Sequence, residues 1–153
     1  MTQTGHELAL ELTHRFAAPR DRVFDAWTNP DVLRRWWAAG ADWETPVADV
    51  DAREGGSYRL SMRTETGEVH TVFGEYREVQ PPERLVYTWT WEEGPSPAMA
   101  GSEGSVVEVD FLEDGDGTLV RLRHSGFANE QLVGMHEHGW NAVLANLESR
   151  VFS

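Results

Sequence analysis

Between Leu8 and Phe16 the segment LALELTHRF alternates, placing Leu8, Leu10, Leu12, His14 and Phe16 on one side of an extended chain, which predicts a first strand. Pro19 then opens PRDRVFDAWT, where Val23, Phe24 and Trp27 fall at helical spacing. NPDVLRRWW repeats the device, with Asn29 as cap, Pro30 at the first helical position, and Leu33, Trp36 and Trp37 behind it. Two short helices therefore follow one strand.

From Ala48 to Ser125 the apolar period becomes two. Tyr58, Leu60 and Met62 alternate with Ser57, Arg59, Ser61 and Arg63, and Leu85, Tyr87, Trp89 and Trp91 share one face of RLVYTWTW. Val107, Val109 and Phe111 do the same in VVEVDF, as do Val120, Leu122 and His124 in LVRLRH. QPPER (Gln80 to Arg84) and EDGDG (Glu113 to Gly117) read as turns, so the strands form a meander rather than a parallel alternation with helices. The low-complexity stretch Glu92 to Gly104 reads as a mobile hairpin connection.

Asn129 caps a long final helix. At 100° per residue, Leu132, Val133, His136, Trp140, Val143, Leu144, Leu147 and Val151 fall in one apolar stripe, while His138 points the opposite way. Gly134 and Gly139 flank that stripe and each weaken the helix by about 1 kcal/mol relative to Ala, which implies close backbone approach or room left beside it.

The 153 residues fit one domain, 1–153, with enough chain for a sizeable core. Thirteen basic against 26 acidic residues give a net charge of −13, which repels nucleic acid and anionic membranes. All the basic residues are Arg, and with neither Cys nor Lys the chain has no thiolate nucleophile, disulfide or lysine Schiff base. The N-terminus lacks a signal-peptide pattern and no apolar run is long enough to span a bilayer, so a cytoplasmic location is the expectation.

Two histidines stand out. His124 on the inner sheet face and His136 on the inner helix stripe are the candidate acid–base residues, and His14 joins them if the register holds. The competing reading is a pair of core histidines satisfied by neighbouring polar groups. The HEH of the final helix sets His136 and His138 about 200° apart, so they cannot share one ion, and no metal or other cofactor is expected. Ser125 faces away from its neighbour His124 on a strand, so the two make no nucleophile pair.

FAAPRDRVFDAWTNPDVLRRWW, GEYREVQPPERLVYTW and LRHSGF leading into HEHGWNAVLANLESRVF resemble the SRPBCC (START-like, Bet v 1-like) superfamily, nearest to the C-terminal domain of the heat-shock-protein-90 ATPase activator. The resemblance runs from about Leu8 to Phe152. It implies an α+β helix-grip fold: six to seven antiparallel strands wrapped round the C-terminal helix, with two short helices after the first strand and a cavity between sheet and helix. By the same resemblance the eukaryotic activator joins a further N-terminal domain to this one, and a single domain without that partner is the expectation here.

The expected wall of that cavity is Trp36, Trp37, Tyr58, Leu60, Met62, Tyr87, Trp89, Trp91, Val109, Phe111, Leu122, His124, His136, Trp140, Val143 and Leu144. Tyr and Trp suit a ligand wall because each joins a flat apolar face to one hydrogen-bond donor. The leading expectation is therefore a binder of a hydrophobic or aromatic small molecule, such as a lipid or polyketide. A chaperone-associated interaction module and a cyclase, dehydratase or hydrolase using His124 or His136 stay open beside it.

Overall fold

The computed structural model describes residues 8–92 and 102–152. Strand β1 (Ala9–Phe16) leads into helices α1 (Arg20–Thr28) and α2 (Pro30–Trp36). Strands β2 (Ala48–Val50), β3 (Ser57–Arg63), β4 (Val69–Gln80), β5 (Arg84–Trp91), β6 (Ser105–Asp114) and β7 (Gly117–Ser125) follow, and helix α3 (Glu130–Val151) closes the chain. Most of the Glu92–Gly104 connection, expected to be a mobile hairpin link, lies outside the described residues.

The seven strands form one sheet in the order β1-β7-β6-β5-β4-β3-β2. Every pairing is antiparallel. The helix starts follow the expected chemistry: Asn29 accepts from the Asp31 N–H at 3.0 Å, and Asn129 from the Leu132 N–H at 2.9 Å. Each side chain satisfies an amide that the helix itself leaves without a partner.

All three helices lie against the inner face of the sheet. Phe24 and Trp27 of α1 meet Phe111 of β6 edge-on, at ring-centroid distances of 5.2 and 5.6 Å. Trp36 packs on Trp27 at 5.1 Å and donates its indole N–H to the Ala26 carbonyl at 3.0 Å, locking α2 to α1. Val109, Phe111, Val120 and Leu122 are completely buried beneath this layer. At about 25 cal/mol per Å² of apolar area removed from water, such a layer supplies the main drive to fold.

Strand β4 is the element least visible in the sequence. Its pairing with β5 shifts register between Tyr76 and Glu78, so its two ends present opposite phases. Gly74 sits where β4 presses on β5; a Cβ there would lie 2.1 Å from the Thr88 carbonyl oxygen. On the solvent face, Arg84 bonds Glu78, Glu108 and Asp110 at 3.3, 2.8 and 2.9 Å. Such half-exposed pairs contribute little each, and their role is to keep that face of the sheet wet.

Candidate functional site

Beyond the layer filled by α1 and α2, the inner face of the sheet is not completely covered. A cavity of about 280 Å³ opens between the Trp89–Trp91 end of β5, the Met135–Val143 stretch of α3 and the loop after α2. Five of the seven tryptophans line it: Trp37, Trp43, Trp89, Trp91 and Trp140. Ala39, Met62, His70, Met135, His136, His138, Gly139 and Val143 complete the wall.

A larger depression of about 1130 Å³ lies around Arg59, Glu75, Arg77 and Glu92. It is wide open, and Arg59 on its wall is already taken by Glu92 through two bonds of 2.6 and 3.0 Å. The more sheltered, tryptophan-lined space is the better ligand site, because burial of the ligand rather than extent of surface supplies affinity.

Of the residues expected to form the wall, Trp37, Met62, Trp89, Trp91, His136, Trp140 and Val143 line the cavity. Trp36, Val109, Phe111, Leu122, His124 and Leu144 do not; they are buried in the interior that α1, α2 and α3 cover. Tyr58 and Tyr87 instead make a ring cluster with Tyr76, at 5.6, 5.2 and 5.9 Å, and Leu60 is buried in the same core. Burial raises all three phenols above their ordinary value, and the Tyr58 hydroxyl donates to the Thr88 carbonyl at 2.5 Å. Alternation correctly placed these side chains on the inner face; it carried no information on which part of that face α1 and α2 would cover.

The cavity also has members that sequence reasoning passed over. Trp43 and Ala39 lie in a segment without period, and His70 lies on the irregular β4. His138 is exposed, as the helical phase predicts, yet it reaches the cavity mouth. A Cβ on Gly139 would meet nothing within 4 Å, so the glycine marks open room beside the helix rather than close approach.

The loop that carries Trp37, Ala39 and Trp43 is held from α3. Buried Asn146 donates to the carbonyls of Ala38 and Gly40 at 2.7 and 3.0 Å. Arg150 donates to the Trp43 carbonyl at 3.2 Å and also to that of Ala41. The Trp43 ring covers Gly40 so closely that a Cβ there would sit 2.6 Å from its Nε1. Its indole N–H goes to the Glu65 carboxylate.

The two inner histidines are completely engaged. An indole nitrogen can only donate, so Nε2 of His136, 3.0 Å from Nε1 of Trp91, must be the acceptor. The proton then sits on Nδ1, which donates to the Leu132 carbonyl at 2.9 Å. His124 takes the opposite tautomer. Its Nδ1 accepts from Trp140 at 3.1 Å, leaving Nε2–H to donate to the Ser105 hydroxyl at 2.8 Å, and Ser105 donates on to the Trp89 carbonyl at 3.3 Å.

These bonds decide what the histidines can do. Ser105 beside His124 has the spacing of a nucleophile and its base, but the base needs a free Nε2, and here that nitrogen carries the proton. Burial, and then the neighbouring His136, hold His124 well below the ordinary histidine value of 6.5. Burial also lowers His136, against the opposing pull of the Leu132 carbonyl. His14 does not join them; it bonds Glu148 at 2.6 Å at the other end of α3. Among the described residues, no three His, Asp or Glu side chains converge as a ligand set for a metal.

A curved antiparallel sheet closed on one long helix, with an aromatic cavity between them, defines a helix-grip protein of the SRPBCC superfamily. The chain belongs to the family described as Activator of Hsp90 ATPase homolog 1-like protein, whose model matches residues 17–151. A protein of Chromobacterium violaceum has the same fold at a TM-score of 0.81, with 23% identity over 95% of this chain and 97% of that one. The AHSA1 protein of Silicibacter pomeroyi follows at 0.78, with 23% identity over 93% and 96%. CalU16 of Micromonospora echinospora is 30% identical over 94% of this chain and 75% of its own, at a TM-score of 0.67. No curated protein sequence matches the chain. Among the described residues no helix is long and apolar enough to cross a membrane.

Proposed function

We propose that this chain, acting as a single domain, binds a small hydrophobic or aromatic molecule in the cavity between sheet and C-terminal helix. The observation that carries the reading is the 280 Å³ space walled by five indoles, roughly the liquid volume of nine water molecules. A packed core leaves no such space, since interiors are filled to crystal-like density. The engaged histidines favour binding over catalysis, because neither has a nitrogen left to take a substrate proton.

Titration of intrinsic tryptophan fluorescence tests it, since Trp89, Trp91 and Trp140 all line the space. A panel of flavonoids, polyketides, fatty acids and small aromatic compounds should include members giving a saturable change at tens of micromolar, roughly −6 kcal/mol. No saturable change across the panel, and no small molecule retained in native mass spectrometry of protein from its own host, would remove the reading.

A second reading, a chaperone-associated interaction module, is supported by the family description and by Val69 and Phe73, which stand 43% and 41% exposed on the outer face of β4. Saturable binding to an Hsp90-type chaperone, lost on Phe73→Ser and indifferent to cavity ligands, is its signature.

A further inference from the structure

The walls of the cavity carry an electrostatic preference. Three of its five indoles direct their N–H groups to acceptors in the protein: Trp91 to His136, Trp140 to His124 and Trp43 to the Glu65 carboxylate. The Trp89 N–H has no partner, but it is sealed from any space a water could enter. These four give a ligand no ready hydrogen-bond donor and offer it mainly the π-faces of their rings, which leaves Trp37 as the one wall indole whose N–H a ligand could engage. An indole that donates to a base or a carboxylate gains electron density, which makes its face a better seat for positive charge.

No guanidinium reaches the wall, whose only basic side chains among the described residues are His70, His136 and His138. No arginine lines the cavity among the described residues, and the stretches outside them add neither Arg nor Lys. A carboxylate or phosphate entering this space would lose its hydration and meet no Arg or Lys in return. His136 does not supply one, because both of its nitrogens are committed in the neutral form. The net charge of −13 adds a long-range field that gathers cations, within the reach set by salt.

We propose that the cavity takes an organic cation, of the quaternary-ammonium or N-alkylated aromatic type, in preference to fatty acids and other anionic lipids. This rests on the container reading above and narrows its ligand class. Face-on aromatic contact is the attraction the five indoles offer to positive charge, and Met62 and Met135 add polarisable sulfur beside it. A trimethylammonium group suits the space because it presents only methyl groups and needs no hydrogen-bond acceptor.

Three compounds of nearly equal size separate the possibilities: phenyltrimethylammonium, its neutral isostere tert-butylbenzene, and benzoate. Binding is followed by calorimetry and tryptophan fluorescence in mildly alkaline buffer at physiological salt. The cation should bind about tenfold or more tighter than tert-butylbenzene, with benzoate weakest. Trp43→Leu should weaken the cation several-fold more than the neutral isostere, and Glu65→Gln should do the same to a smaller degree, with thermal melts showing that both variants fold. Equal or tighter binding of tert-butylbenzene or of benzoate overturns the cation preference and leaves the container standing. If none of the three binds while members of the broader apolar panel do, the preference is likewise wrong. If nothing binds at all, the container reading fails and this inference falls with it.

Discussion

Trp91 on β5 donates its indole N–H to Nε2 of His136 on α3, 3.0 Å away, and this bond ties the sheet to the helix at the edge of the cavity. The same histidine donates through Nδ1 to the Leu132 carbonyl one turn earlier on α3. A residue whose position invites a catalytic or ligand-anchoring role therefore acts as a cross-brace. His136→Ala leaves the Trp91 N–H without a partner, which costs about 1–3 kcal/mol where the donor cannot reach water. The expected outcome is a melting temperature lower by about 2–4 °C per kcal/mol, with no selective loss of polar ligands. A stable variant that binds polar ligands more weakly would restore the anchoring role.

Stability should fall as the solution is acidified through the histidine range. His124 and His136 both have depressed values in the folded state, so between those values and the ordinary 6.5 the unfolded chain binds protons that the folded chain does not. Stability is then complete above about pH 7 and declines below about 6.5, by up to 1.4 kcal/mol per pH unit for each histidine. Denaturant unfolding at a series of pH values measures the slope. His136→Gln should reduce it by the share of one proton, and an unchanged slope would show that His136 titrates alike in both states.

Gly139 offers a way to close the cavity without harming the fold. A side chain there enters open space, since nothing beyond the helix's own backbone lies within 4 Å of a Cβ built on it. Gly139→Ala should stabilise α3 by about 0.5–1 kcal/mol, and Gly139→Leu should keep that helical gain while filling the ligand space. The measurement is a thermal melt paired with a fluorescence titration. A Gly139→Leu protein that melts at or above the parent and still binds ligand unchanged would move the binding site elsewhere.

Asn146 bonds two carbonyls of the loop that carries Trp37 and Trp43, so it shapes the cavity without lining it. Asn146→Ala strips partners from the buried Ala38 carbonyl and the neighbouring Gly40 carbonyl, with an expected loss of about 1–3 kcal/mol. Ligand affinity should fall as well, through loosening of the Trp43 wall. Asn146→Asp should be worse than Ala, because a carboxylate has no hydrogen to donate to a carbonyl oxygen. An Asp variant as stable as the parent would contradict the bonding assigned here.

The serine that meets a histidine was visible only in three dimensions: Ser105, not the adjacent Ser125, contacts His124. In β6 and β7, Val107 stands directly opposite His124, which sets Ser105 diagonally across from it on the inner face. Ser105→Ala should therefore destabilise by about 1–3 kcal/mol through the abandoned Nε2–H. It should not change the rate of any hydrolysis the protein is offered, a result that an activity screen of the purified variant and parent checks directly.

The sequence by itself determined the order and kind of the elements. Period two and period 3.6 are local properties, and caps such as Asn29 and Asn129 announce themselves within three residues. It also determined which side chains face inward, Trp89, His124, His136 and Trp140 among them. It did not reveal β4 as a continuous strand, because the register shift after Tyr76 breaks the alternation on which the reading depends.

Tertiary structure alone decided which inward positions are filled and which remain open. Phe111 shares the inner face with Trp89, yet Phe24 and Trp27 of α1 cover the first while the second borders the cavity. It also fixed the tautomers of the histidines, through indole donors from elements 45 residues and 16 residues away in the chain. A histidine's chemistry is set by what its two nitrogens touch, and those partners come from distant elements whose approach no local pattern encodes.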